Sequence, residues 1–187
     1  MKRILLFLVL SFTLFHLNAQ NSKHTIGIMG GGSFSTISNY EGDLLLGLTG
    51  GIYYEWKLSD RLAFQSNILY VQKGEKGKGN VLDLKLHYIN MPIMLKYYIT
   101  PEFSIFSGIN SDFLVGVPSN SFDKSYFNKT DWGLPFGLSY LISNNFEIGV
   151  IYNLGLTEID NNTMNSNKLK NNFGNITLPY LFDQDLN

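Results

Sequence analysis

The feature that most constrains this chain is a period of two in its hydrophobic residues, repeated along most of its length. In residues 44–57 every second position, from Leu44 to Trp56, is apolar, aromatic or glycine, while the positions between them include Gly47 and Glu55. Successive side chains of a strand point to opposite faces, so the pattern predicts a strand with two different faces. Eight segments share it: 24–36, 44–57, 61–73, 86–99, 103–117, 130–142, 146–157 and 173–182.

The connections between these segments alternate in length. Three are tight turns, at 58–60, 100–102 and 143–145, and the others are longer and polar. Outer-membrane barrels have short periplasmic turns and longer extracellular loops, so the alternation predicts an up-and-down barrel with both ends of the chain on the short-turn side. The long connections are 37–43, 74–83, 118–129 and 158–172.

Alternation alone leaves open a lipocalin-like soluble barrel or a sandwich, whose apolar face points inward. Two observations favour a membrane barrel over these soluble folds. Glycines concentrate on the polar face, which would line a narrow lumen, and aromatic residues gather near both strand ends, as interfacial girdles do. We therefore predict an all-β, eight-stranded antiparallel up-and-down transmembrane β-barrel with a side-chain-filled interior. The predicted girdles are Tyr54, Trp56, Phe64, Tyr97, Phe103, Tyr140, Phe146, Tyr180 and Phe182 near the short turns, and Tyr70, Tyr88, Phe113 and Trp132 towards the long loops.

Charged residues on the polar face would point into the lumen. They carry both signs, and buried charges need partners, so the sequence predicts an internal network of ion pairs and hydrogen bonds that plugs the barrel. The predicted members are Glu55, Lys57, Lys96, Asp112, Asp131 and Glu147.

The first residues have the form of an export signal. Lys2 and Arg3 precede an apolar run from Ile4, and residues 1–19 end on Ala19, which predicts cleavage before Gln20 and a barrel domain over 20–187. A retained membrane helix is the alternative, although the run is shorter than the roughly 20 residues that a helix needs to span. Cysteine is absent, which excludes disulfides and thiolate metal sites.

Several segments resemble the outer-membrane β-barrel proteins of Bacteroidota known as the porin-family or PorT-like group. Segment 88–97, YINMPIMLKY, is similar to that family's strand with an inward proline and lysine, and the hairpin of 51–56 and 62–74 and the segment 152–157 also match. The resemblance covers about 24–182. It implies the barrel and the outer membrane, and it implies no shared activity.

A search for catalytic and metal-binding patterns finds little. Of the three histidines, His16 falls in the signal, and neither His24 nor His87 has acidic or histidine neighbours at metal-ligand spacing. We therefore expect no catalytic, cofactor or metal residues. A lipid-modifying hydrolase using His87 with Asp83 is a weaker alternative. The basic stretch 73–78 predicts a flexible loop that is solvated or touches lipopolysaccharide phosphates.

These observations favour a non-enzymatic integral outer-membrane protein with a structural or loop-mediated binding role, centred on loops 118–129 and 158–172. A narrow passive pore is the main alternative, and a soluble periplasmic barrel is the last. The expected partners are the bilayer, lipopolysaccharide, the barrel-assembly machinery during insertion and a protein bound through the loops. A formal net charge of −1 argues against nucleic acid.

Overall fold

The structure is a computed structural model, which describes residues 23–39, 42–79, 83–117, 124–160 and 169–182. The predicted signal at 1–19 and its cleavage point lie outside these ranges. The described chain is almost entirely strand, and none of its helices is long and apolar enough to cross a membrane. The strands are β1 (His24–Ile37), β2 (Gly42–Asp43), β3 (Leu45–Ser59), β4 (Leu62–Gly77), β5 (Leu84–Tyr98), β6 (Phe103–Gly116), β7 (Thr130–Ser143), β8 (Phe146–Gly155) and β9 (Asn171–Phe182).

The eight long strands close into a barrel. Each is antiparallel to its neighbours along the chain, β1 pairs with β9, and the pairing of β4 with β5 completes the circle. The two-residue strand β2 extends β3 beyond Leu44, because Asp43 pairs with Lys76 of β4. The predicted eight-stranded antiparallel barrel is confirmed.

The two faces of the wall have opposite chemistry. Outward positions are apolar and exposed: the accessible fraction is 76% for Leu46 and 46% for Trp132. Inward positions such as Asn110 and Lys96 are buried. This is the reverse of a soluble barrel and agrees with the predicted membrane orientation. One girdle assignment was wrong: Tyr88 is fully buried in the lumen, because it shares the parity of inward Asn90 rather than that of outward Ile89.

The hairpin of β4 and β5 is longer than the sequence predicted. Segment 74–83 was expected to be a loop, but β4 continues to Gly77 and β5 begins at Leu84, with Glu75 paired to Leu84. Lys73, predicted both as the end of strand 61–73 and as the start of a solvated basic loop, is therefore held inside the barrel and fully buried.

Two prolines interrupt the backbone hydrogen bonding between neighbouring strands, and serine hydroxyls replace part of it. Inward Pro92 of β5 and Pro135 of β7 lack an N–H, and the pairing of each with one neighbouring strand is broken there. Outward Ser66 donates a hydrogen bond to the Pro92 carbonyl at 3.1 Å, and outward Ser107 donates to the Pro135 carbonyl at 2.9 Å. These bonds explain why a serine occupies an otherwise apolar position of β6.

Glycine is required where two strands approach closely. A Cβ on inward Gly31 would lie 1.9 Å from the carbonyl oxygen of Ile176, whereas a Cβ on its outward neighbour Gly30 would meet nothing within 4 Å. The contact at Gly31 is with the Ile176 backbone, which can move only if β1 moves away from β9.

We predict that Gly31→Ala lowers the free energy of unfolding by about 1–3 kcal/mol, the usual cost of overpacking. Gly30→Ala, one residue away on the open face, should change it little. Urea unfolding of the two variants in detergent micelles, followed by tryptophan fluorescence, measures the difference. Equal losses in both variants would contradict the close approach.

Candidate functional site

The lumen holds a cluster of paired charges near the short-turn end, here called the lower cluster. Lys96 of β5 lies 3.0 Å from a Glu55 oxygen and 2.8 Å from a Glu147 oxygen. The hydroxyls of Tyr53 and Tyr98 both donate to Glu55. Side chains from β3, β5 and β8 are thus joined across the barrel, and the buried carboxylates gain the partners that burial requires.

A second cluster, the upper cluster, lies nearer the long loops. Lys73 of β4 forms an ion pair with Asp112 of β6 at 2.6 Å, and its ammonium lies 3.7 Å from the ring centroid of Phe173. Asn171 donates to Asp131 at 3.2 Å. The fully buried cation therefore has both an anionic and an aromatic partner.

Amide side chains fill the level between the two clusters. Asn90 donates to Asn110 and to Asp112, each at 2.7 Å. The gap that remains there, between Asn153 and Asn175, has a volume of about 10 Å³, about what a single water molecule needs. A gap of this volume holds a water molecule but no hydrated ion.

Apolar side chains close the outer mouth, forming what we call the mouth cluster. Phe127 and Ile159, from two different long connections, pack against residues at the outer ends of the strands. The two connections are tied together, since Phe127 bridges to Asp160 and Asn128 donates to the Glu158 carbonyl at 2.8 Å. The mouth cluster comprises Ile37, Leu84, Leu86, Tyr88, Leu114, Phe127 and Ile159.

Most of the predicted lumen network is present. The charges of Glu55, Lys96, Asp112, Asp131 and Glu147 are buried as expected. The prediction for Lys57 was wrong.

Lys57 lies at the short-turn end, half-buried, with its ammonium 5.7 Å from the Tyr98 ring centroid and outside the ion pairs of the described residues. Lys73 was left out of the predicted network. The polar face of the predicted strand 61–73 includes it with Gln65 and Asn67, but it was also counted as the first residue of the basic loop 73–78.

His24 and His87, the histidines within the described ranges, lie on the outer face of the wall and away from the lumen. His87 contacts the Tyr70 hydroxyl, while Asp83 pairs with Lys85 at 3.7 Å, so the structure does not join His87 to Asp83. His24 lies at the opposite end of the barrel. Across the described ranges, no three His, Cys, Asp or Glu side chains are grouped so that they could hold a metal ion.

The sequence matches the outer membrane protein beta-barrel domain family over residues 18–161. The chain belongs to this family. Its place is therefore the bacterial outer membrane, in agreement with the apolar outer face. No curated protein sequence matches the chain.

Solved structures of outer-membrane barrels share the fold. The attachment invasion locus protein Ail of Yersinia pestis, solved in complex with the heparin analogue sucrose octasulfate, is 15% identical, with a TM-score of 0.54 over 85% of this chain and 99% of Ail. Neisserial surface protein A is 16% identical, with a TM-score of 0.53 over 87% of this chain and 98% of that protein. At this identity the likeness concerns the fold alone.

The lower cluster generates a stability prediction. Lys96→Met should lower the free energy of unfolding by about 3–5 kcal/mol, because it leaves Glu55 and Glu147 buried without their cation. The triple variant Lys96→Met, Glu55→Gln, Glu147→Gln should recover part of the loss. Lys57→Met, at the rim, serves as the control.

Urea unfolding in micelles measures all three variants. A Lys96→Met barrel as stable as the Lys57→Met barrel would show that the lower cluster contributes nothing.

Proposed function

We propose that this protein is a non-enzymatic, non-conducting outer-membrane barrel that presents its long loops as a contact surface. The observation that carries the proposal is that four successive layers fill the lumen: the lower cluster, the amide level, the upper cluster and the mouth cluster. With the lumen filled and the outer wall facing lipid, the loops are the surface left for recognition.

The mouth cluster supports a scaffolding role for the loops. Phe127 and Ile159 are buried, while Tyr126 beside them is 64% exposed on a single 3₁₀ turn at Lys124–Tyr126. Buried anchors that hold an exposed aromatic in place reduce the ordering cost of binding, as expected of a recognition surface. We propose a protein partner at this surface, formed by connections 118–129 and 158–172.

The proposal extends to the export, the membrane insertion, the family group and the ligands of the protein. Export by the signal at 1–19, insertion by the barrel-assembly machinery and membership of the Bacteroidota PorT-like group are proposals, the last supported by inward Pro92 and Lys96 in the matching strand. The Ail complex with a sulfated heparin analogue suggests anionic ligands, lipopolysaccharide among them, for the exposed Lys76 and Lys78 at the hairpin end.

A photocrosslinking residue tests the loop role. Placed at Tyr126 in living cells, it should give discrete protein adducts, because this side chain faces outward from the loop surface. At Leu46, which is 76% exposed on the membrane face, it should give none. Gel shifts on immunoblots, with mass spectrometry of the adducts, report the outcome. Absence of adducts at Tyr126 would contradict a loop-bound protein partner.

A further inference from the structure

The outer wall over β5 and β6 carries a groove. Small side chains line its floor, since outward Ser107 and Ser111 stand where branched residues stand elsewhere on the wall. The volume is about 420 Å³, within the range of about 300–1,000 Å³ typical of ligand pockets. The residues that form the groove include Met91, Ile93, Ser107, Ile109, Ser111 and Trp132.

The groove is apolar although its floor has hydroxyls. Ser107 donates to the Pro135 carbonyl at 2.9 Å, and Ser111 donates to the Met91 carbonyl at 3.1 Å. Both hydroxyl protons are therefore used by the barrel wall. The occupant that suits such a surface, between the two aromatic girdles, is hydrocarbon.

Two cations lie above the groove, one on β5 and one on the turn Lys124–Tyr126, which contacts β6. Lys85 of β5 is exposed on the outer face, and the ammonium of Lys124 donates to the carbonyl of Val115 on β6 at 3.2 Å. His87 lies between them, since it pairs with Gly116. The nearby acid, Asp83, makes only a loose and exposed pair with Lys85 at 3.7 Å, which an anion can displace at little cost.

The spacing of the two features matches a single lipid. Along β6, Val115 and Ser107 are eight residues apart, or about 26 Å at about 3.3 Å per residue. With the tilt of about 35–45° usual for such barrels, this is roughly 20 Å of depth, so the Ser107 end extends past the about 15 Å of one hydrocarbon leaflet. Ser111 and Trp132, which pair halfway along, lie within it. The upper part of the groove thus follows the path of an outer-leaflet chain whose headgroup lies at Lys85 and Lys124.

We propose that β5 and β6 form a lateral site for one phosphate-bearing lipid of the outer leaflet. Its phosphate contacts Lys85 and Lys124, and one acyl chain lies in the groove beside Trp132. This goes beyond the loop-mediated role: the site shares Lys124 with connection 118–129 but needs no protein partner. Loss of the loop partner would leave the lipid site intact.

Trp132 provides a direct readout. The sequence has two tryptophans, so Trp56→Phe leaves Trp132 as the single reporter. The barrel is reconstituted into vesicles that contain nitroxide-labelled phosphatidylglycerol or nitroxide-labelled phosphatidylcholine. The anionic lipid should half-quench Trp132 at an about fivefold lower mole fraction, because lysines near a membrane surface attract anionic headgroups.

Two pairs of variants separate the parts of the site. Lys85→Ala with Lys124→Ala should abolish the preference, while Lys23→Ala with Arg61→Ala, at the short-turn end, should preserve it. Ser111→Leu should weaken quenching by both lipids, while Gly30→Leu, on the opposite side of the barrel, should not. Ile93→Phe fills the groove with the Ser111 hydrogen bond left in place and should act as Ser111→Leu does.

Three results would overturn the proposal. They are equal quenching by the two lipids, a preference unchanged in Lys85→Ala with Lys124→Ala, and quenching unaffected by both groove-filling variants. Exclusion of both labelled lipids from Trp132, as a second copy covering the groove would cause, overturns it as well.

Discussion

The structure depends on one constraint, the need to satisfy every backbone N–H and carbonyl inside hydrocarbon. An open sheet would leave two unpaired edges in the lipid, and closure removes them. In this chain closure comes from the pairing of β1 with β9 and of β4 with β5. The same constraint explains the serines at the proline gaps, since Ser66 and Ser107 supply the donors that the broken ladders lack.

Closure with eight strands also limits the width of the interior. Such a barrel is only wide enough for side chains, so polar residues of the inner face must find partners within a narrow column. Lys96 joins three strands through Glu55 and Glu147, and Lys73 joins two through Asp112. These pairs link strands that are not neighbours and place side chains across the lumen.

The period of two predicted most of this architecture, because a strand residue's face depends only on its parity. The eight strands, the membrane orientation and five lumen charges followed from it. What the pattern could not supply is where strands end. The predicted strand ended at Lys73, which was also counted as the start of a basic loop, yet pairing with β5 continues past it to Glu75. The mouth cluster was also beyond prediction, since Phe127 and Ile159 meet only through folding of separate connections.

The proposed function rests on the surfaces that neither the fold nor the membrane occupies. Buried side chains occupy the described lumen and the apolar outer wall faces lipid, which leaves the long connections for recognition. Single-channel recording in planar bilayers tests this central claim most directly, with the purified barrel under an applied voltage. The closed lumen predicts no opening steps. Reproducible steps of constant size would contradict it and establish the barrel as a narrow pore.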